Sequence, residues 1–256
     1  MKYAIAACLS VALLFGATEE LDKSFDVKPG TELSMEVLNG DIEIMSSGSD
    51  NIEIHAVKST KKEAKELDKV EIVIEPGSEF KIYTDYLKDN AHVSVDFTVK
   101  IPKHIVEINI ENVNGDVTIT GVTCDAYIEA VNGDVIMEKI KGNVEIELAN
   151  GDIKVKDTEH VTDIELANGK VMVELRSISD EGIDIEIANG SVNVYLADHL
   201  DVDIEAANAI GRISVEDLDI AMKGIVNALE TKLGKGGPTI SVDAAVGDII
   251  FHKLAK

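Results

Sequence analysis

Ile128-Glu129-Ala130-Val131-Asn132-Gly133-Asp134-Val135-Ile136-Met137, Ile146-Glu147-Leu148-Ala149-Asn150-Gly151-Asp152-Ile153-Lys154-Val155 and Ile164-Glu165-Leu166-Ala167-Asn168-Gly169-Lys170-Val171-Met172-Val173 are copies of one unit. In each, an alternating apolar run meets an Asn-Gly pair, and the alternation then resumes. Alternation with period two marks a strand with one buried face. Asn-Gly marks a corner, because both residues tolerate backbone conformations closed to most others. The unit is therefore strand, corner, strand.

The pattern extends in both directions. Asn-Gly recurs at Asn114-Gly115, Asn132-Gly133, Asn150-Gly151, Asn168-Gly169 and Asn189-Gly190, with spacings of 18, 18, 18 and 21 residues. Asn39-Gly40 is an earlier copy, Asn208 marks a degenerate one, and Val246-Gly247 is a last one without Asn. Four residues before the Asn place stand Met35, Ile110, Ile128, Ile146, Ile164, Ile185, Ile204 and Val242. Next to them stand Glu36, Glu111, Glu129, Glu147, Glu165, Glu186, Glu205 and Asp243. Inward apolar and outward acidic residues thus keep fixed places in every copy.

Two architectures use such units. Asn-Gly between alternating runs is a strong hairpin signal and gives an antiparallel meander. A near-constant period with one residue type at each place fits instead an all-β parallel β-solenoid (a β-helix) of roughly 18-residue coils, with like residues stacked about 4.8 Å apart. Stacked Asn side chains also hydrogen-bond along their column. Hairpins impose no fixed period, so the solenoid is the expectation.

The ends depart from the repeat, as caps of a solenoid do. Residues 21–104 read as an N-terminal cap with the first repeat, and residues 105–256 as the solenoid repeats. Ser59 to Lys69 is charged and rich in Ala, Glu and Lys, which predicts a helical capping segment. Strands are expected through Val70–Ile74, Phe80–Tyr83 and His92–Ile101, the last ended by Pro102. Asp217 to Leu233 reads as an amphipathic helix with Leu218, Met222, Ile225, Val226, Leu229 and Leu233 on one face and Gly234 after it. It is expected as an insertion near 217–233, before the sheet resumes at Thr239–Phe251.

Residues 1–20 read as a signal peptide: Lys2, an apolar run from Tyr3 to Phe15, then Gly16-Ala17-Thr18. The run is shorter than the about 20 residues of a spanning helix. The expected location is extracytoplasmic, namely periplasm, cell surface or secreted, with no membrane span after signal removal. An uncleaved anchor is the alternative. With Cys8 in the signal, Cys124 is left alone and no intrachain disulfide forms. The chain carries 48 Asp and Glu against 24 Lys and Arg, a formal net charge of −24. So acidic a chain is repelled by phosphate backbones, and no nucleic-acid partner is expected. Aromatic residues are 4% and Trp is absent, so the core is built from Ile, Val, Leu and Ala.

The chain resembles the putative adhesin family of bacterial and archaeal β-strand repeat proteins, a domain of unknown function. The resemblance rests on Phe25-Asp26-Val27 leading to Leu38-Asn39-Gly40-Asp41-Ile42, the charged segment near Lys62–Lys69, and Val95-Asp96-Phe97-Thr98-Val99-Lys100-Ile101-Pro102. Val113-Asn114-Gly115-Asp116-Val117 and the further copies follow. It implies an extracytoplasmic β-solenoid and transfers no catalytic residue. The helical insertion and the Asn208-Ala209-Ile210-Gly211 corner depart from the plain repeat.

The sequence holds no Gly-rich phosphate loop, Gly-x-Ser-x-Gly elbow, His-Glu-x-x-His or Cys-x-x-Cys. Arg occurs only as Arg176 and Arg212. Cys124, His160 and His199 share one repeat position, but the two histidines are expected too far apart to ligate one metal. No catalytic, cofactor-binding or metal residue is assigned, and no cofactor is expected. The column Glu111, Glu129, Glu147, Glu165, Glu186 and Glu205 should form one outward acidic file, and Asp41, Asp116, Asp134 and Asp152 a second. Either is a solvated face with raised carboxyl pKa values, or a weak binder of Ca²⁺. The reading is an exported non-catalytic scaffold or adhesion module of the cell envelope. Its expected partner is a surface protein or glycan, with end-to-end self-association as a further possibility. The alternatives are a carbohydrate-active enzyme with a cleft near Ser177–Gly182, and a Ca²⁺-dependent adhesive module.

Overall fold

In the computed structural model, which describes residues 8–9, 16–218, 220 and 227–255, the alternating segments form strands and the Asn-Gly pairs form corners. Two compact units, Met1–Cys124 and Asp125–Lys256, make up the chain. Almost every element is a strand, and most pairing among the repeat strands is parallel.

In the first unit the strands are β1 (Cys8–Leu9), β2 (Ala17–Asp26), β3 (Glu32–Asn39), β4 (Ile42–Ser46), β5 (Asn51–Thr60), β6 (Val70–Glu75), β7 (Glu79–Tyr86), β8 (Ser94–Ile101), β9 (Glu107–Asn114) and β10 (Val117–Thr120). β3 runs parallel between β7 and β9, and β4 parallel between β8 and β10. Met35 therefore faces Ile82 on one side and Ile110 on the other, and all three are buried. The coil of residues 32–46 is flanked by two coils that follow it in sequence, so spatial order is not chain order. Antiparallel strands close the unit: β6 on β7, β5 on β8, β2 on β5 and β1 on β2. Phe25 of β2 meets the buried Phe80 ring edge-on at 5.3 Å.

In the second unit the strands are β11 (Asp125–Asn132), β12 (Val135–Glu138), β13 (Asn143–Asn150), β14 (Ile153–Thr158), β15 (His160–Leu175), β16 (Ile183–Leu196), β17 (Val202–Ile210), β18 (Ile213–Glu216), β19 (Ala228–Leu233), β20 (Thr239–Val246) and β21 (Ile249–Lys253). Ile128, Ile146, Ile164 and Ile185 stand side by side in parallel strands, the stacking that the repeat predicts. The order then departs from the sequence. β20 lies between β16 and β17, and β21 between β16 and β18. The last coil is thus inserted beneath the one before it. His252 grips both neighbours: its ring stacks on Tyr195 at 4.5 Å, and its Nδ1 lies 3.3 Å from Glu216 Oε2.

Three expectations need correction. The amphipathic helix over 217–233 is replaced, where the structure describes it, by β19, which pairs antiparallel with β17. Residues 219 and 221–226 lie outside the described residues. Leu229 and Leu233 are both buried, and a spacing of four puts two residues on one face of a helix and of a strand alike. The capping segment is only a six-residue 3-10 helix, Ala64–Lys69, and Ser59 and Thr60 end β5. Glu66 is buried there and accepts from Lys69 Nζ and the His92 amide. The degenerate corner is displaced by two residues: Ile210 faces Val246, so Ile210, not Asn208, occupies the Asn column.

The signal-peptide expectation falls mostly outside the described residues. Ala17–Glu20 belong to β2, paired with Thr60 back to Val57, and Glu19 forms an ion pair with Lys58 at 3.0 Å.

Candidate functional site

One outward face of the second unit gathers carboxylates in a single register. Glu129, Glu147, Glu165, Glu186 and Asp243 stand side by side on β11, β13, β15, β16 and β20. Two residues earlier on the same face run Glu145, Asp163, Asp184, Ser241 and Glu205. Neighbouring strands are about 4.8 Å apart, so each carboxylate faces others at close range. Among the described residues none of Glu129, Glu145, Glu147, Glu165 or Glu186 pairs with a cation in the structure; Asp203 meets Lys232 at 3.2 Å only at the edge.

The chemistry follows from that crowding. Burial first, then the facing carboxylates of Asp184, Glu145, Glu186 and Glu147, push the Asp163 carboxyl above its ordinary range. Glu165 is pushed up in the same way, by desolvation and then by Asp163, Glu147 and Glu186. An open depression of about 430 Å³ lies over this area, lined by Glu145, Thr162, Asp163, Glu181, Gly182, Ile183, Asp184, Thr239 and Ser241. Two local irregularities make it. A bulge at Thr162 breaks the register between β13 and β15, and the Thr162 hydroxyl donates to the Val144 carbonyl at 3.3 Å. The segment 176–182 is also longer than its equivalents, which gives the spacing of 21.

The predicted acidic file is realised from Glu129 to Glu186 within this unit. Glu205 is not in it: the displaced corner sets it beside Ser241, and antiparallel to Glu230, while Ala207 faces Asp243. Glu111 lies in the first unit opposite Glu36. The second file does something else. Asp41 Oδ1 accepts the Asp116 amide at 2.9 Å, Asp134 Oδ1 the Asp152 amide at 2.8 Å, and Asp152 Oδ1 the Lys170 amide at 2.9 Å. These carboxylates tie one coil's backbone to the next. Cys124 is buried, His160 opens β15 and His199 lies in the turn after β16. Among the described residues no group of three His, Cys, Asp or Glu is placed to hold a metal.

Sequence reasoning missed the column of Glu145, Asp163 and Asp184, although its signal was there, five residues before each Asn. It also missed two inward asparagines. Asn112 donates to the Gly40 carbonyl at 3.2 Å, and Asn208 to the Gly247 carbonyl at 3.1 Å, each reaching the corner glycine of the coil inserted out of order.

Residues 31–231, which hold most of these repeats, match the model of a known family described as Toastrack DUF4097. The chain belongs to the Toastrack DUF4097 family. Among solved structures, a putative adhesin from Bacteroides fragilis NCTC 9343 is 13% identical, with 91% of this chain and 96% of that one covered and a TM-score of 0.49. A putative cell adhesion protein from Clostridium sporogenes ATCC 15579 is 15% identical, with 92% and 100% covered and a TM-score of 0.37. A putative lipid binding protein from Parabacteroides distasonis ATCC 8503 is 12% identical, with 92% and 97% covered and a TM-score of 0.44. No curated protein matches the chain. In this Toastrack chain no helix among the described residues is long and apolar enough to cross a membrane.

Proposed function

We propose that the chain is an exported, non-catalytic adhesion or binding module of the cell envelope, which meets a surface protein or glycan through its flat sheet faces. One observation carries this reading: outward side chains of one type recur in register across parallel strands, so a single weak contact is repeated strand after strand. The leader-like start of the sequence supports export. The carbohydrate-active alternative draws on the carboxyls of the depression, one of them with a raised pKa. Among the described residues, those lining the depression are acidic, hydroxyl-bearing, small or apolar. Antiparallel β19 covers the outer edge of β17, so end-to-end self-association would have to use the free edge of β19 or of β18.

Beads coated with the chain test this reading. They are expected to adhere to cells of the producing organism, and beads coated with the Glu147→Gln/Glu165→Gln/Glu186→Gln variant to adhere less. Cell fractionation is expected to recover the chain outside the cytoplasm, with a trimmed N-terminus. Release of reducing ends from envelope polysaccharide, abolished by Asp163→Asn, would overturn the non-catalytic reading in favour of the hydrolase.

A further inference from the structure

Six Asn-Gly pairs sit at the corners, and this dipeptide is the one most open to succinimide chemistry, because glycine puts no side chain in the way of its own amide nitrogen. In that reaction the glycine amide loses its proton and its nitrogen attacks the Asn Cγ. The Cγ–Nδ2 bond breaks and the side-chain nitrogen leaves as ammonia. Water then opens the ring, at Cγ to give Asp or at the main-chain carbonyl to give isoaspartate. The balance is amide plus water to acid plus ammonia, with no other reactant.

The corner column restrains both reacting groups. Asn114 Nδ2 donates to Asn39 Oδ1 at 2.9 Å and to the Leu38 carbonyl at 3.2 Å. Asn150 Nδ2 donates to Asn132 Oδ1 at 3.1 Å and the Val131 carbonyl at 3.4 Å. Asn168 Nδ2 donates to Asn150 Oδ1 at 3.0 Å and the Ala149 carbonyl at 3.5 Å. The nucleophiles are engaged too: the Gly40, Gly133 and Gly151 amides donate to the carbonyls of Asn114, Asn150 and Asn168 at 2.8, 3.1 and 3.1 Å. Asn39 Nδ2 is held by the Tyr86 hydroxyl at 3.0 Å. Turning Cγ onto the glycine nitrogen breaks this set of bonds.

Asn189 stands where the column ends. Among the described residues its Nδ2 has a single partner, Asn168 Oδ1 at 3.2 Å. Beyond it in register stands Val246, which has no amide to donate to its Oδ1. Val246 and its neighbour Ile210 are 42% and 66% exposed, so water reaches this end of the column. We infer that Asn189-Gly190 is the deamidation site of the folded chain and that the stacked amides shield the other five pairs. Isoaspartate there lengthens the main chain at a glycine that already packs on the Gly169 carbonyl, so the modification loosens the corner.

The test is peptide mapping by mass spectrometry after incubation at mildly alkaline pH, with the urea-unfolded chain as reference. In urea all six pairs should react at similar rates. In the folded chain Asn189 should react several-fold faster than any other, and Val246→Asn, which continues the column, should slow it to the rate of the rest. Equal or faster reaction at another pair of the folded chain would overturn the inference. So would an Asn189 rate that Val246→Asn leaves unchanged in a variant whose circular dichroism matches the parent.

Discussion

Gly151 shows how little room a corner leaves for a side chain. Its φ is +146°, and a Cβ placed on it would collide with the Gly133 carbonyl oxygen, a backbone atom that cannot rotate away. Gly151→Ala combines an unfavourable φ with that clash and should cost at least ~2 kcal/mol in urea unfolding. Gly48→Ala is the control: nothing lies within 4 Å of its added Cβ, and its stability should stay within about 0.5 kcal/mol of the parent. The Asp that follows the corner glycine is explained at the same scale. Asp152 Oδ1 accepts the Lys170 amide of the next coil at 2.9 Å, as a capping residue accepts an otherwise unpaired N–H. Asp152→Ala should therefore cost about 1 kcal/mol, and Asp152→Asn, which keeps an acceptor, less. Amide exchange at Lys170 distinguishes loss of this bond from general loosening, because it should rise more than exchange at Val171.

The parallel sheet of the second unit turns a sequence period into a charged surface, and its pH response has a definite sign. A carboxyl whose pKa is higher in the folded chain than in the unfolded one contributes stability that is complete below the unfolded value and lost as pH rises through the folded value. Asp163 and Glu165 are raised from reference values of 3.8 and 4.5, so their contribution should disappear on going upward from the ordinary carboxylate range toward neutrality. Glu66 acts oppositely, since Lys69 holds it below its reference value. The difference in stability between the parent and Asp163→Asn/Glu165→Gln isolates the sheet. The variant should be the more stable near neutral pH, and its advantage should shrink toward about pH 4. A gap that does not change with pH would show that these carboxyls titrate normally. Most of this sheet was legible in the sequence, because a parallel strand repeats its neighbour's residue types and Ile128, Ile146, Ile164 and Ile185 declared the register. What was not legible is where strands change partners. β20 reaches β16 through the same inward Ile and Val residues that β17 carries, so nothing local says which coil goes between. The same degeneracy hid β19, whose leucines fit either period, and moved Glu205 out of the file when the corner proved to be at Ile210.

Across the whole molecule a formal charge of −24 opposes compaction, and solvent sets how strongly. Two carboxylates about 5 Å apart repel by very roughly 1 kcal/mol in water. The Debye length falls from about 30 Å at 0.01 M salt to about 8 Å at 0.15 M, which still exceeds one strand spacing of about 4.8 Å. Added salt therefore removes repulsion between distant columns and coils before it touches adjacent carboxylates. A divalent ion that bridged neighbours would relieve the adjacent pairs instead. Among the described residues no cluster has the geometry of a metal site, and the Asp column is committed to backbone amides. The expected outcome is plain screening: thermal unfolding should shift upward by several degrees from 0.01 to 0.15 M NaCl, by the few degrees per kcal/mol typical of a chain this size. CaCl₂ and MgCl₂ at matched ionic strength should do no more, and EDTA should change nothing. A Ca²⁺-specific rise lost in Glu147→Gln/Glu165→Gln would make the acidic face a cation site, because only direct ligation separates ions of equal charge at equal screening.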